Sequence, residues 1–364
     1  MPQWPDSRFI DLVGITNPII QAPMLGAGAE VMIGVAKAGG LGSLACATLS
    51  LDAIRAEIAA FRAESDQPFN VNFFCHASPE YDEACVQQWK SLFKPYYEEL
   101  GADYDAPTPV SSRAPFDEAT CALVEELRPP VVSFHFSLPA PELMARVKAS
   151  GAIIISSATT VEEAQWLEQH GCDAIVAMGY EAGGHRAMFL SNELTSQIGT
   201  FALVPQIVDA VSVPVIAAGG IADARGIVAA FALGASAVQI GTAYLFCPQA
   251  KISKPHYRAL REASASETAL TNLFTGRPAR GILNRVMREL GPINPQAPAF
   301  PLAGGVLLPL KAKSEPAGSA DFINLWAGQA FPLSPGRTAE LSSYELTCAL
   351  LDDYAARTIA QSRL

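Results

Sequence analysis

The chain has 364 residues, of which half are hydrophobic and 17% are charged, so it can bury a large core and does not have the composition of a disordered polypeptide. Its net charge of −11 argues against nucleic acid as a partner, because binding to a phosphate backbone needs clustered Lys and Arg. Seven cysteines without a CxxC pair, the lack of a basic and apolar leader at the N-terminus and the lack of an apolar run of about 18 residues predict a cytoplasmic protein that does not enter a membrane.

Eight short apolar runs, separated by helix-like stretches, follow one another along most of the chain. They are nearly continuous in apolar residues rather than alternating, which is typical of parallel strands buried on both faces. The runs are residues 18–24, 40–45, 69–74, 131–136, 153–158, 174–179, 213–220 and 237–246. The helical patterns between them cover residues 30–37, 51–64, 79–100, 116–127, 141–150, 161–170, 201–211 and 223–233. Thr160 and Asp223 are predicted N-caps.

This alternation predicts an α/β fold, a TIM (β/α)8 barrel. An open, doubly wound sheet is the rival fold, but the GxGxxG fingerprint of such sheets is missing after the first strand. After the eighth run, residues 249–290 look helical, a Pro/Gly-rich stretch follows, and residues 342–362 form a final helical pattern. We therefore expect a barrel built from residues 1–246 and 325–364, with a mainly helical lid or substrate subdomain at residues 247–324 over its mouth.

Glycines mark the ends of the last two strands, where such barrels carry their functional residues. Gly219 and Gly220 follow the seventh run, and Gly241 and Thr242 lie within the eighth. Backbone N–H groups in glycine turns ahead of a helix bind phosphate, although an ordinary turn is the alternative. At the end of the first run, Pro23 in QAPM either places backbone against a flat ring or simply ends the strand.

Three polar side chains interrupt the apolar runs or follow them at the same predicted edge. Asn72 needs a hydrogen-bond partner, either in the core or in a ligand, and His135 is either a core residue or a pocket residue. His185 follows Gly183 and Gly184 in EAGGHRA, where flexible backbone can approach a ligand beside a group that titrates near neutral pH. The other histidines show no such context: His76, His170 and His256. Neither a metal-ligand pattern nor GxSxG is present, so we predict neither a metal site nor a serine hydrolase.

The stretches QAPM, VNFF, VVSFHF, EAGGHRA, PVIAAGGI and QIGTAYL together resemble the 2-nitropropane dioxygenase-like flavoproteins. The closest resemblance is to bacterial nitronate monooxygenases that also carry a histidine on the fourth strand, and it runs over about residues 10–330, including DFINLWAGQA. The resemblance implies FMN across the barrel mouth. It also implies oxidation of alkyl nitronates or nitroalkanes by O2 to carbonyl compounds and nitrite.

The same resemblance assigns roles to matching positions. His185 would be the catalytic residue facing the flavin, and His135 would line the substrate pocket. The residues that would contact FMN are Ala22, Pro23, Met24, Asn72, Met178, Gly183, Gly184, Gly219, Gly220, Gln239, Ile240, Gly241 and Thr242. Relatives usually carry glutamine at the position of Met178, and tyrosines and a basic residue in the stretch that here contains Phe300 and Gly304. These departures imply a substrate pocket that differs from theirs.

Other functions fit the same residues. An NAD(P)H-dependent flavin reductase of quinones or enoyl thioesters would use the same barrel and the same glycine pairs. A flavin-free lyase or isomerase acting on a phosphorylated metabolite and a non-catalytic flavin-binding protein are further alternatives. The sequence leaves the physiological substrate and the oligomeric state open, a homodimer included.

Overall fold

The computed structural model describes residues 4–109 and 113–361 and shows the predicted TIM barrel. The strands are β1 (Ile19–Gln21), β2 (Gly42–Ala45), β3 (Phe69–Phe74), β4 (Val131–His135), β5 (Ile153–Ala158), β6 (Ala174–Met178), β7 (Gly184–His185), β8 (Val215–Ala218), β9 (Ala237–Ile240), β10 (Thr268–Thr271) and β11 (Ala279–Ile282). All except β7, β10 and β11 are parallel and pair in the order β1-β9-β8-β6-β5-β4-β3-β2. A parallel bridge between Ile20 and Leu41 joins the two ends and closes the barrel.

Helices surround the barrel close to the predicted positions. They are α1 (Arg8–Val13), α2 (Ala29–Lys37), α3 (Leu51–Glu64), α4 (Glu83–Ser91), α5 (Lys94–Leu100), α6 (Glu118–Leu127), α7 (Pro141–Ala149), α8 (Val161–Gln169), α9 (Thr200–Ala210), α10 (Ala224–Ala232), α11 (Lys254–Glu262), α12 (Arg285–Leu290), α13 (Leu308–Ser314) and α14 (Ser343–Gln361). Both predicted N-caps are confirmed, since Thr160 accepts from Glu163 N at 3.2 Å and Asp223 from Arg225 N at 2.9 Å. The single helix predicted over residues 79–100 is wrong, because a second helix starts with a proline in its first turn, which cannot continue the first.

Apolar side chains fill both faces of the barrel strands, which explains the continuous runs. In β6, Ala174 and Val176 pack in one cluster while Ile175 and Ala177 pack in another, so alternate residues face the barrel interior and the outer helices. The short helix α1, which the sequence did not predict, packs its buried Phe9 against the interior cluster. This helix closes the amino-terminal end of the barrel.

The final helix α14 completes the outer ring, as predicted. Its Leu346, Leu350 and Tyr354 are buried, and the Tyr354 ring stacks on Trp4 with centroids 4.9 Å apart. Helices α2 and α10 pack against it. Residue 362, the last of the predicted helix, lies outside the described residues.

The region after the eighth barrel strand contains an antiparallel pair of strands as well as helices. The prediction of helix throughout residues 249–290 is wrong for residues 268–282, where β10 and β11 pair across a turn that contains Gly276 and Pro278. Strand β7 adds to β11 with His185 opposite Ala279. Because of this pairing, the strand that carries His185 belongs to the sheet of the added region.

Helices α4 and α5, from the β3–β4 connection, hold this added region against the barrel. Trp89 donates to the carbonyl of Ala303 at 3.0 Å, and the Tyr97 hydroxyl donates to that of Val306 at 2.7 Å. Apolar side chains of the two segments form one buried cluster around Phe93. The lid predicted from residues 247–324 therefore rests on a second segment of the chain.

Within the described ranges, no helix is long and apolar enough to span a membrane. The same residues contain no group of three or more His, Cys, Asp or Glu side chains placed to hold a metal ion. The seven cysteines are free thiols, and four of them are buried: Cys46, Cys121, Cys172 and Cys247.

Candidate active site

A cavity of about 350 Å³ lies at the carboxyl ends of the barrel strands, under the added region. It brings together nearly all of the site residues predicted from the sequence. Those that line it are Ala22, Pro23, Met24, Asn72, His135, Met178, Gly183, Gly184, His185, Gly219, Gly220, Gln239, Gly241 and Thr242. Ile240 does not line it, because its side chain is buried in the hydrophobic core.

The QAPM backbone forms one wall of the cavity, and hydrogen bonds from residues outside the cavity support it. The buried Gln21 accepts from Ser43 N at 2.9 Å and donates through Nε2 to the carbonyl of Ala22. The Ala22 N–H in turn donates to the carbonyl of Ile240 at 2.9 Å. Gln21 thus fixes the wall at residues 22–24, and Ile240 supports it through its backbone rather than its side chain.

Two side-chain amides in the cavity wall have hydrogen-bonding capacity that the protein leaves unused. Asn72 donates to Ser133 Oγ at 2.9 Å, while its Oδ1 has no partner among the described residues. The Gln239 side chain also makes no hydrogen bond within that part of the chain, and both residues line the cavity. Ser133, which the sequence reasoning missed, orients the Asn72 amide. A flat ligand with donors and acceptors on its rim fits this wall.

The glycine turn after β8 has the properties of an anion cradle. Gly219 and Gly220 have φ of +102° and +70°, a conformation that side chains disfavour. The backbone N–H groups of Gly220 and Ile221 donate to no acceptor in the described ranges. After β9, Gly241 precedes a short 3₁₀ helix that has no side-chain cap, and a Cβ at Gly241 would be in ordinary van der Waals contact with Met24 Sδ, at 3.5 Å. These groups fit the phosphate of a bound nucleotide.

The two glycines of EAGGHRA are required for different structural reasons. A Cβ on Gly183 would lie 2.4 Å from Gly328 N, so this glycine is needed for packing against the chain at residues 327–328. Gly184 has φ of +71° and no atom within 4 Å of its Cβ position, so its requirement is conformational. Gly328 N also donates to Thr242 Oγ1 at 3.0 Å, which ties the β9 turn to the same segment.

The two predicted histidines are adjacent. His135 Nε2 lies 3.2 Å from the carbonyl of His185, which can only accept, so this nitrogen carries a hydrogen and Nδ1 of the neutral ring is free to accept. His185 Nε2 lies 3.0 Å from Thr275 Oγ1. The fully buried Thr275 hydroxyl is 3.3 Å from the carbonyl of Arg277. When Thr275 donates there, His185 donates to Thr275 and its Nδ1 becomes the acceptor.

Aromatic rings surround His185. Ring centroids of Phe300, Trp326, Phe136 and Phe74 lie 5.4, 5.5, 5.7 and 6.0 Å from its imidazole. Phe136 takes φ of +69°, an unusual conformation for a bulky residue that concentrates at functional sites. These rings limit the access of water to His185.

Phe300 and Gly304, the two residues of the returning stretch that depart from the family pattern, both have close neighbours in the structure. Phe300 packs edge-on against His76 at 4.7 Å between centroids. A Cβ at Gly304 would lie 2.4 Å from the carbonyl of Phe274, so no larger residue fits this backbone. Met178, the third departure, lines the cavity with its side chain nearly buried.

Burial and nearby cations keep the histidines neutral. Burial first, and then the charge of Arg113, hold the pKa of His185 well below its ordinary value. Burial lowers the pKa of His135 to about 4, although its bond to the His185 carbonyl acts in the opposite direction. Burial also lowers the pKa of His76 to about 4, with a further contribution from Arg277. The imidazoles are therefore uncharged at pH 7, in a region where fixed positive charge is present.

Sequence reasoning missed the residues that create this environment. His76 had no recognisable context, and Arg113, Thr275 and Arg277 lie far from His185 in the chain. The Arg277 guanidinium stacks over the Phe136 ring at 4.1 Å. Arg186 lies within EAGGHRA, but sequence reasoning assigned it no role. Thr275 and Arg277 precede β11 and come close to His185 because β11 pairs with β7, a long-range pairing for which the sequence carried no short-range signal.

Comparison with known proteins places the fold and cavity in one family. Residues 6–350 match the nitronate monooxygenase family. A nitronate monooxygenase of Pseudomonas aeruginosa is 40% identical over 353 residues, covering 95% of this chain and 98% of that protein. A nitronate monooxygenase of Paraburkholderia phytofirmans is 40% identical over 330 residues, covering 90% of each chain.

A solved structure is similar over the whole fold. The nitroalkane oxidase of Streptomyces ansochromogenes superposes with a TM-score of 0.85 at 35% identity, covering 98% of this chain and all of that one. The resemblance inferred from QAPM, EAGGHRA and the glycine pairs is confirmed by these matches. The chain belongs to the nitronate monooxygenase family, a family of oxidoreductases.

Proposed function

We propose that this protein uses non-covalently bound FMN to oxidise alkyl nitronates with O2, giving carbonyl compounds and nitrite. The observation that carries the proposal is the neutral His185 beside the cationic Arg113, in the wall of a cavity with unused amide and N–H groups. Arg113 and Arg277 are the two groups lowering the His185 pKa that stay charged at neutral pH. Such a pocket favours an anionic ligand, as a nitronate is.

The cavity offers separate places for the parts of FMN. The backbone of residues 22–24 and the amides of Asn72 and Gln239 would hold the ring, and the N–H groups of Gly220 and Ile221 would hold the phosphate. When bound, FMN supplies the capacity to accept electrons from the substrate and to pass them to O2. One phosphate cradle and no second dinucleotide fingerprint favour FMN over FAD.

His185 would hold the substrate at its reacting centre. A neutral imidazole with a free acceptor nitrogen can accept a proton from a nitroalkane, whereas an imidazolium could not. With a preformed nitronate no proton has to leave, so His185 and the positive charge of Arg113 would act by positioning the anion. His135, fixed by its bond to the His185 carbonyl, would line the same pocket.

The added region would act as the lid and substrate subdomain. Trp326 from the segment that returns to the barrel and Phe74 from β3 both line the cavity and flank His185. These rings would exclude water from the reacting atoms while leaving room for a small apolar group. We also place the enzyme in the cytoplasm, with nitronate or nitroalkane and O2 as its partners.

Two measurements test the proposal. Flavin released from the purified protein by heat should be FMN by chromatography, and FAD or no flavin after reconstitution would contradict the cofactor. Anaerobic titration of the holoenzyme with an alkyl nitronate should change the flavin spectrum, and subsequent O2 should restore it with release of nitrite. Rapid bleaching by NADH, with no response to nitronate, would instead indicate the flavin reductase.

A further inference from the structure

Three consecutive carbonyl groups in the loop between β6 and β7 accept hydrogen bonds from buried arginines. Arg186 donates through Nη2 to the carbonyl of Met178 at 2.8 Å and through Nη1 to that of Gly179 at 2.6 Å. Its Nε donates to Gln197 Oε1 at 2.8 Å. The side chain is fully buried. One planar guanidinium thus binds two successive carbonyls, a geometry that its fixed fork of donors allows.

A second arginine, from the added region, holds the next carbonyl. Arg280 donates through Nε and Nη2 to the carbonyl of Tyr180 at 3.1 and 3.0 Å, and its guanidinium lies 4.7 Å from the centre of the Tyr180 ring. Its Nη1 donates to Thr268 Oγ1 at 3.2 Å. Arg280 lies on β11 directly opposite Gly184 of β7. The added region therefore holds both ends of the stretch from Tyr180 to His185.

Both arginines are buried without a direct ion pair. Within the described ranges, neither Arg186 nor Arg280 forms an ion pair within 4 Å, although Glu181 acts on both by its charge and Glu163 acts on Arg186; both arginine side chains are almost fully buried. Burying a guanidinium without a carboxylate in direct contact is costly, and the cost is reduced when carbonyls satisfy its donors. A neutral glutamine would bind one carbonyl at lower cost. The arrangement indicates that holding several carbonyls at once is what this loop requires.

The loop is also restrained by other hydrogen bonds, since Tyr180 N donates to the carbonyl of Ile198 at 2.8 Å and the Glu181 carboxylate accepts from Thr200 N and Oγ1 at 2.8 Å each. The two arginines add bonds to the carbonyls of Met178, Gly179 and Tyr180. The loop contains Gly179, Gly183 and Gly184, and glycine loses the most conformational freedom when it is ordered. The space beside Gly184 is empty in the structure, so packing does not restrain that residue. This backbone determines where the ring and the carbonyl of His185 lie. The carbonyl in turn orients His135.

We propose that Arg186 and Arg280 are positioning residues that fix the loop at residues 178–185, so that its glycines meet the flavin and His185 meets the substrate. The proposal rests on the proposed function for the identity of the ligands. The claim that the loop loses its order without the two guanidiniums does not depend on the proposed function.

The test separates geometry from charge. Arg186→Lys and Arg280→Lys keep the positive charge but lose the forked donors, and Arg186→Gln and Arg280→Gln lose both. We expect the lysine variants to fail nearly as badly as the glutamine variants. The FMN dissociation constant should rise about tenfold or more, and turnover per bound flavin should fall about tenfold or more with smaller changes in KM. The visible circular dichroism of bound FMN should also change.

The matched control is Arg62→Gln. Arg62 donates to the carbonyl of Leu127 at 2.6 Å and lies over the Phe69 ring at 5.4 Å, which is the same chemistry at the amino-terminal end of the barrel strands. It should lower thermal stability without altering FMN affinity or turnover per flavin. A merely structural role for Arg186 and Arg280 would give this same pattern, and would overturn the proposal, as would full rescue by lysine.

Hydrogen–deuterium exchange of the flavin-free chain gives a readout independent of the reaction. Amides of residues 179–185 should exchange faster in the Arg186 and Arg280 variants than in the native chain, while those of β8 and β9 should not change. Unchanged exchange in this segment would overturn the proposal. If the native protein neither binds FMN nor oxidises nitronates, the proposed function fails while this measurement still decides whether the arginines order the loop.

Discussion

The two ends of the barrel are built from the same strands but differ in how many energetically unfavourable features they contain. At the amino-terminal end, α1 inserts Phe9 into a cluster of aliphatic side chains and closes the barrel with apolar contacts. At the carboxyl-terminal end, Phe136 has positive φ, His76 is buried against the Phe300 ring near the cationic Arg277, and Arg186 is buried with no ion pair within 4 Å among the described residues. Each of these features lowers stability, so they are expected where function, not packing, selects the residue.

Unfavourable features can therefore point to a candidate site without reference to motifs. In this fold one end of the barrel generally serves stability and the other serves chemistry. Mutations at the two ends should therefore separate the free energy of unfolding from turnover. The following predictions test that separation.

The largest expected effect is on stability, at the amino-terminal end. Phe9→Ala removes a fully buried ring from the interior cluster and should lower the free energy of unfolding by about 3–5 kcal/mol. Turnover per folded, flavin-loaded molecule should stay within about twofold, because the catalytic end is not touched. Urea unfolding and steady-state kinetics measure the two quantities. Leu12→Ala, on an exposed position of the same helix, is the control, and a loss of turnover per flavin in Phe9→Ala would break the comparison.

At His185 we expect a loss of turnover without a loss of stability. His185→Asn should leave folding and FMN content near those of the native protein but lower kcat/KM by about 10² or more, the usual scale for a positioned acid–base group. The loss should be larger with neutral nitroalkane, which must give up a proton, than with preformed nitronate. His170→Asn, at an exposed position, should change neither substrate's kinetics. Equal activity of His185→Asn and the native protein on both substrates would remove His185 from the mechanism.

A pair of glycines separates backbone strain from ligand contact. Gly184 and Gly151 both have positive φ, +71° and +90°, and open space at the Cβ position, but only Gly184 lines the cavity. Valine at either position should cost about 1–3 kcal/mol of stability through strain. Gly184→Val should in addition weaken FMN binding by about tenfold, and Gly151→Val should not. Measured FMN dissociation constants that are the same for both variants would mean that the loop does not approach the flavin.

The sequence predicted the barrel well because its signals are local. Continuous apolar runs identified the strands, and the glycines at residues 219–220 and 241 predicted a ligand site at the strand ends, where the structure has a cavity that they line. The short α1 was missed because six residues give too little periodicity. Residues 268–282 were taken as helix because basic and polar residues alternate there with apolar ones in a way that fits either structure, and the pairing with β7 that decides it is long-range.

The candidate site was predicted only as far as its residues belong to motifs. His135 and the glycines lie in short stretches with recognisable spacing, and the structure collects them around one cavity. Ile240 was included because it lies between two cavity residues, yet the alternation of a strand turns its side chain to the other face. Arg113 and Arg277 could not be predicted, because their effect on the His185 pKa acts through space and not through sequence spacing.

The last prediction concerns the acid stability of the carboxyl-terminal end of the barrel. Burial, and then the charge of Arg277, lower the pKa of His76 to about 4, although its hydrogen bond with the Arg113 backbone acts in the opposite direction, and the ring regains its ordinary value of 6.5 on unfolding. The unfolded chain therefore binds more protons between these values. The stabilising contribution of the neutral ring is complete above pH 6.5 and is lost as the pH falls toward 4. His76→Phe removes this titration and replaces the buried imidazole by an apolar ring. The variant should lose less stability than the native protein on acidification, by at most about 1.4 kcal/mol per pH unit, which corresponds to one proton.

Carboxylates that titrate in the same range contribute equally to both proteins, so the difference between the two ΔG-versus-pH curves isolates His76. Parallel curves for His76→Phe and the native protein would show that His76 is protonated as easily in the folded chain as in the unfolded one, and the contrast between the two ends of the barrel would then not extend to this residue.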